Sequence, residues 1–194
     1  MPTFIIDVLL YALVNDNAMI PLQAGCLLLA RPLLDDPHFV RSVVLVLAHE
    51  DTEGTMGVIL NRPGSPLNTP AESPIAQWIE TATGPRVDFH GGPVAPESFI
   101  CLSQDPHSPT GIGFVDMIVD LAHHSDPHRV FRGYSGWGPS QLDAEIAEGA
   151  WWIVESHMND LVDLEPEHLW NKILQRQSSA LRRMGNFPHD PSDN

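Results

Sequence analysis

Apolar residues fall along this chain in short runs broken by glycine, proline and acidic turns, a pattern suited to strands more than to long helices. Residues 26–30 form one such run, ended by Pro32. Residues 42–48 are apolar at nearly every position, which predicts a strand covered on both faces. After the turn Glu50-Asp51-Thr52-Glu53-Gly54, residues 56–60 return as the second arm of an antiparallel hairpin. Ser73-Pro74 opens a helix to about Thr81, with Ile75, Trp78 and Ile79 on its apolar face. Residues 87–90 and 99–102 are two more short strands, flanking the turn Gly91-Gly92-Pro93. Residues 103–128 are irregular, with a strand expected near 117–121. Strands at 130–134 and 151–155 enter and leave a glycine-rich stretch, and 159–164 hold a helical turn. From Pro166 onward Leu169, Trp170, Ile173, Leu174, Leu181 and Met184 recur at helical spacing, which predicts one last helix. Hairpins mixed with scattered helices give the fold class: α+β, a single domain with a mainly antiparallel mixed sheet and helices packed on it.

The glycine-rich stretch is Gly133-Tyr134-Ser135-Gly136-Trp137-Gly138-Pro139-Ser140-Gln141-Leu142. Its spacing predicts a strand end, a glycine turn and a short helix with Pro139 at the first helical position and Gly149 at the stop. Ser140 and Asp143 fit a capping-box spacing at the same start. A helix start of this kind presents free N–H groups and a positive dipole end.

This stretch resembles the signature of the YqgE/AlgH family of bacterial proteins, a Gly-Tyr-Ala-Gly-Trp-Gly-x-Gly-Gln-Leu-Glu pattern. Other stretches agree with that family in order: Gly25-Cys26-Leu27-Leu28-Leu29-Ala30-Arg31-Pro32, Asp36-Pro37-His38-Phe39-Val40-Arg41-Ser42-Val43-Val44-Leu45, Gly57-Val58-Ile59-Leu60-Asn61-Arg62-Pro63, Gly91-Gly92-Pro93-Val94 and Leu169-Trp170-Asn171-Lys172-Ile173-Leu174. The likeness covers roughly residues 22–190, and residues 187–194 resemble the actinobacterial branch. It divides the chain into an extension at 1–21, a domain at 22–185 and a tail at 186–194. The family has no established biochemical activity, so the resemblance implies a fold and carries no catalytic residue. One member is linked to transcriptional control of polysaccharide production, which implies a regulatory role.

Charge narrows the partners. The formal net charge is -15, and Lys172 is the one lysine among ten basic residues. Such a field repels nucleic-acid phosphates and anionic membranes at long range. Lys172, Arg176, Arg182 and Arg183 cluster on the last helix, where they suit pairing with the acidic residues 160–167. No helix-turn-helix is readable, so direct DNA binding is not expected. Residues 4–14 are an apolar run too short to span a bilayer, and no Lys or Arg precedes Arg31. Export is therefore not expected, and a cytoplasmic location is. Residues 1–20 are read as an extension, or as a misplaced start upstream of Met19.

Candidate chemistries thin out on inspection. Gly133-Tyr134-Ser135 begins like a nucleophile elbow, but Trp137 stands where the second glycine belongs. His90-Gly91-Gly92 begins like an oxyanion loop, but Pro93 has no N–H to donate. His107, His123, His124, His128, Asp120 and Asp126 lie in one irregular segment without metal-ligand spacing, so no metal or cofactor is expected. Gly111-Ile112-Gly113 lacks the third glycine of a dinucleotide loop. Cys26 and Cys101 sit in apolar runs and are expected to be buried free thiols.

What remains is a binding module for a small anionic ligand or a protein partner, with an indirect regulatory role. The expected site joins the two glycine turns: His90, Gly91 and Gly92 from one, Gly136, Trp137, Gly138 and Gln141 from the other. Trp137 would wall it, unless that side chain plugs the core. The alternative is an enzyme using His90 or a cysteine near those turns.

Overall fold

The apolar run near the start becomes β1 (Leu27–Ala30), a strand with no solvent on either face. Leu27 and Leu29 enter one apolar cluster while Leu28 and Ala30 enter the opposite one. Burial on both sides is why the run shows no alternation. β1 lies between β2 (Val43–Glu50) and β8 (Trp151–Val154), antiparallel to both. The structure is a computed structural model that describes residues 20–65, 73–118 and 124–185.

β2 pairs with β3 (Gly54–Ile59) as the expected hairpin. Beyond it come α1 (Pro74–Glu80), the two-residue β4 (Phe89–His90), β5 (Val94–Gln104), β6 (Ile112–Val115) and β7 (His128–Trp137). The sheet runs β6-β5-β7-β3-β2-β1-β8, and β4 lies parallel to β7. The other pairings are antiparallel. After β7 come α2 (Gln141–Ala147), then β8, α3 (Leu169–Gln175) and α4 (Ser179–Met184). No helix among the described residues is long and apolar enough to cross a membrane.

The helices cover three apolar patches. Trp170, Ile173 and Leu174 of α3 and Leu181 of α4 close the larger cluster over Leu27, Leu29, Phe89 and Phe131. Leu142 of α2 closes the second with Trp137 and Trp151. Trp78 and Ile79 of α1 close the third, over Cys101 and Val130. Both cysteines are unpaired and buried.

Several expectations need correction. The last helix is not continuous: a 3-10 turn at Pro166–His168 precedes α3, and the chain breaks before α4. The apolar spacing persists across the break because both helices face one cluster. Pro139 does not open α2. Ser140 precedes the helix at φ 59° and makes no side-chain cap, so its capping box does not form. Gly133 and Gly136 lie within β7 rather than in a turn, since the strand runs on to Trp137. β6 occupies part of the segment expected to be irregular. Met117 and Ile118 form a turn, and the rest of the strand expected near them lies outside the described residues.

Candidate functional site

The two glycine stretches lie side by side. His90 pairs with Arg132 on β7, and Val94 pairs with Tyr134. The contact is so close that side chains are excluded. A Cβ on Gly91 would sit 2.3 Å from the Gly133 carbonyl oxygen, and one on Gly92 would sit 2.4 Å from Tyr134 backbone atoms. Gly92 also holds φ 151° and Gly133 φ 67°. Glycine is thus required here by backbone packing.

That closeness engages donors that an anion would need. Gly91 N–H donates to the Arg132 carbonyl at 2.8 Å. The buried Ser135 hydroxyl donates to the Gly91 carbonyl at 3.0 Å. Gly138 N–H donates to Gln141 Oε1 at 3.1 Å, and Gln141 Nε2 donates to Glu145 Oε1 at 3.1 Å. Gly136 is exposed within β7, opposite Met56 of β3. His90 is exposed on β4.

Trp137 is 4 % exposed. Its ring stacks on Phe39 at 5.6 Å and meets Trp151 edge-on at 5.9 Å. Glu145 Oε2 accepts from Trp137 Nε1 at 3.0 Å and from Trp151 Nε1 at 2.8 Å. Gly149, at φ 84°, ends α2 as expected, so the chain turns back and Trp151 reaches this cluster. In this arrangement the stretch from Gly133 to Glu145 closes a core.

A cleft of about 400 Å³ opens elsewhere, between α1 and the β5–β6 end. Trp78, Ser103, Asp105, Phe114, Asp116, His124 and Asp126 are among the residues that line it. Trp78 donates to the Met117 carbonyl at 3.1 Å. The His124 ring lies 5.2 Å from Trp78 and 5.1 Å from His128. Its Nε2 is buried and has no hydrogen-bond partner among the described residues. Burial pushes the His124 imidazole below the usual histidine range. The neighbouring His128 adds to this and Asp126 opposes it. His128 is itself engaged, its Nε2 3.0 Å from the Trp78 carbonyl oxygen.

Sequence reasoning singled out His124, His128 and Asp126 only as metal ligands, and passed over Ser103, Asp105 and Asp116. Among the described residues no group of three or more His, Cys, Asp or Glu could hold a metal. Asp120 and His123 lie outside the described residues. Trp78 was legible as an apolar helix residue, and the clustering of polar residues at 103–128 was the available signal.

Comparison with known proteins gives concordant results. The family model described as AlgH-like (DUF179) matches residues 27–182. A UPF0301 protein of Streptomyces avermitilis is 42% identical over 188 residues, covering 88% of this chain and 94% of its own. One from Thermobifida fusca is 40% identical over 190 residues, with coverage of 88% and 94%. Among solved structures, protein DIP2367 from Corynebacterium diphtheriae superposes with a TM-score of 0.79 at 23% identity, covering 90% of this chain and 97% of its own. The solution structure of the AlgH protein from Pseudomonas aeruginosa gives 0.61 at 26% identity, with coverage of 81% and 90%.

Proposed function

The chain belongs to the AlgH-like family, and from that premise we propose that it is a binding module that takes a small cationic molecule in the cleft between α1 and β6. The supporting observation is the lining of the cleft. Asp105, Asp116 and Asp126 supply negative charge, the exposed Phe114 supplies aromatic surface above the buried Trp78, and no Lys or Arg is among the described lining residues. Carboxylates beside an aromatic face suit an ammonium or guanidinium group. Its size falls in the range of small-ligand sites, roughly 300–1,000 Å³. A neutral His124 leaves the cation unopposed. A change in this surface on binding would act on a protein partner, which accounts for an indirect regulatory role without DNA contact.

An enzyme working through His90 or a cysteine has less to support it. Burial pushes the Cys101 thiol up to about 12 and raises that of Cys26. At neutral pH neither supplies a thiolate nucleophile.

The test is a melting series with putrescine and spermidine as probes, against sodium chloride of equal ionic strength. A rise in Tm is expected in the intact protein and in Asp51→Asn, whose side chain is exposed. The rise should be lost in Asp116→Asn. Binding should hold at neutral pH and weaken on acidification below the usual histidine range, as His124 takes up a proton. No response to either amine, or an equal response in Asp116→Asn, would overturn the reading.

A further inference from the structure

We propose that the free edge of β6 takes up an extended segment of another protein, paired antiparallel to it, with Lys or Arg at alternate positions and apolar residues between them. The inference rests on the reading of the cleft as a cation site and names the cation as a side chain of that segment. β6 ends the sheet on its side, and β5 is its one neighbour among the described residues. An unpaired edge of this kind is a template for another strand. Two hydrogen bonds fix which backbone groups point out of it. Asp105 N–H donates to the Gly111 carbonyl at 2.9 Å, and Gln104 N–H donates to the Pro127 carbonyl at 2.9 Å. Gln104 stands opposite Ile112 and Leu102 opposite Phe114. The alternation of an antiparallel ladder therefore turns the N–H and C=O groups of Gly113 and Val115 toward β5, and those of Ile112 and Phe114 outward. The Ile112 carbonyl accepts from Thr110 Oγ1 at 3.2 Å. The Ile112 N–H and both backbone groups of Phe114 have no such partner among the described residues.

The two faces beside this edge differ. Cys101, Val115 and Trp78 share one apolar cluster, on the face where the cleft opens. Gly113 lies on that face opposite Ser103, and a Cβ on it would stand 3.2 Å from Asp105 Oδ2. Glycine here leaves the carboxylate room beside the edge. Asp116 and Asp126 line the same cleft, and none of the three meets a Lys or Arg among the described residues. Leu102 and Ile112 face the other way, into the larger cluster. Phe114 borders both the cleft and a small recess beside Ile112, and is 66 % exposed. A strand added to β6 thus sets every second side chain over the aspartates and the others along Ile112 and Phe114. Main-chain bonds to a four-residue strand are few, so these side chains carry the selectivity.

Charge decides between occupants. Residues 103–128 contain no Lys or Arg. A second copy pairing through β6 would bring Asp105 and Asp116 against the same acidic residues, which repel. A basic segment is instead drawn in by these aspartates and by the net charge of -15.

The probe is an acetylated, amidated octapeptide of alternating Lys and Val, at matched ionic strength. Its reference is a peptide of the same composition with all Lys before all Val, which keeps the charge and loses the alternation. The alternating peptide should bind at least about tenfold more tightly and slow hydrogen exchange at the Phe114 amide. In an antiparallel pairing the Val residues face the Phe114 backbone groups, so N-methylation of Val should abolish both effects and N-methylation of Lys should not. Phe114→Pro, which removes the edge N–H, should weaken the peptide and leave the Tm response to putrescine intact. Equal binding of the two octapeptides, an unprotected Phe114 amide, or binding by the N-methyl-Val form would each overturn the strand addition. A putrescine response that survives those results would leave the cleft reading standing. Loss of the putrescine response with Phe114 still protected would overturn the cleft reading, and with it the assignment of the basic side chain. A dimer of the intact protein that protects Phe114 without peptide would give the edge to a second copy and overturn the proposal as well.

Discussion

Glu145 holds two buried indoles with one carboxylate oxygen, and Gln141 bridges its other oxygen to the Gly138 backbone. Removing the carboxylate leaves two N–H groups, on side chains 4 % and 3 % exposed, without an acceptor. Each such loss costs about 1–3 kcal/mol. Glu145→Ala is therefore expected to lower stability by about 2–4 kcal/mol, and Glu145→Gln by less, since an amide oxygen still accepts. Urea unfolding midpoints at constant m check this. A Glu145→Ala protein as stable as the parent would show that the two tryptophans hold themselves. At this scale the sequence was half legible. The glycines at 91, 92 and 133 were visible as special, but not the close backbone contact that they serve. The reason is physical: which donors are engaged depends on Arg132 and Gly91 meeting across strands. Phe39, the stacking partner of Trp137, comes from a distant loop that no local pattern connects to it.

Between elements, a two-pronged ion pair joins the end of α3 to the segment after β8. Arg176 Nη1 and Nη2 donate to Asp160 Oδ1 and Oδ2, each at 2.6 Å, and Nη2 also donates to the Glu155 carbonyl. Asp160 is 5 % exposed, so removing Arg176 leaves its carboxylate buried without its cation. Arg176→Met is expected to cost about 2–3 kcal/mol, discounted because Arg176 is partly exposed. The double variant Asp160→Asn, Arg176→Met should recover part of that loss. Additive losses in a double-mutant cycle would mean the pair is not coupled. Pairing of the basic helix with residues 160–167 was legible from charge alone, and Lys172 meets Asp163 and Glu165 as expected. β1, β2, β3 and α1 were legible from apolar runs and the Ser73-Pro74 start. The lengths of β5 and β7 were not, because the glycine stretches read as turns while the ladder between these strands continues through a register shift.

For the molecule as a whole, the basic residues are mostly committed internally. Arg129 is fully buried, stacked 4.1 Å from the Phe89 ring centroid, with Nη2 donating to the Asp163 carbonyl at 2.7 Å. Burial lowers its guanidinium to about 10, so it stays charged at neutral pH but faces no solvent. Arg132 pairs with the buried Asp88 at 2.8 Å. With these engaged and a net charge of -15, the isolated chain should not retain a promoter fragment over a scrambled one at physiological salt. Tight, salt-sensitive retention in a gel-shift assay would contradict that expectation. The sheet order also sets the schedule of folding. Both neighbours that flank the β1–β3 meander, β7 beside β3 and β8 beside β1, are made late, so Leu27 waits for Val154. A nascent chain therefore leaves the ribosome with its most apolar strands uncovered on two edges. Pairing at such separation is slow and exposes the unfinished meander to aggregation. A chaperone that shields residues 27–59 during synthesis would serve this protein more than one acting on the completed chain.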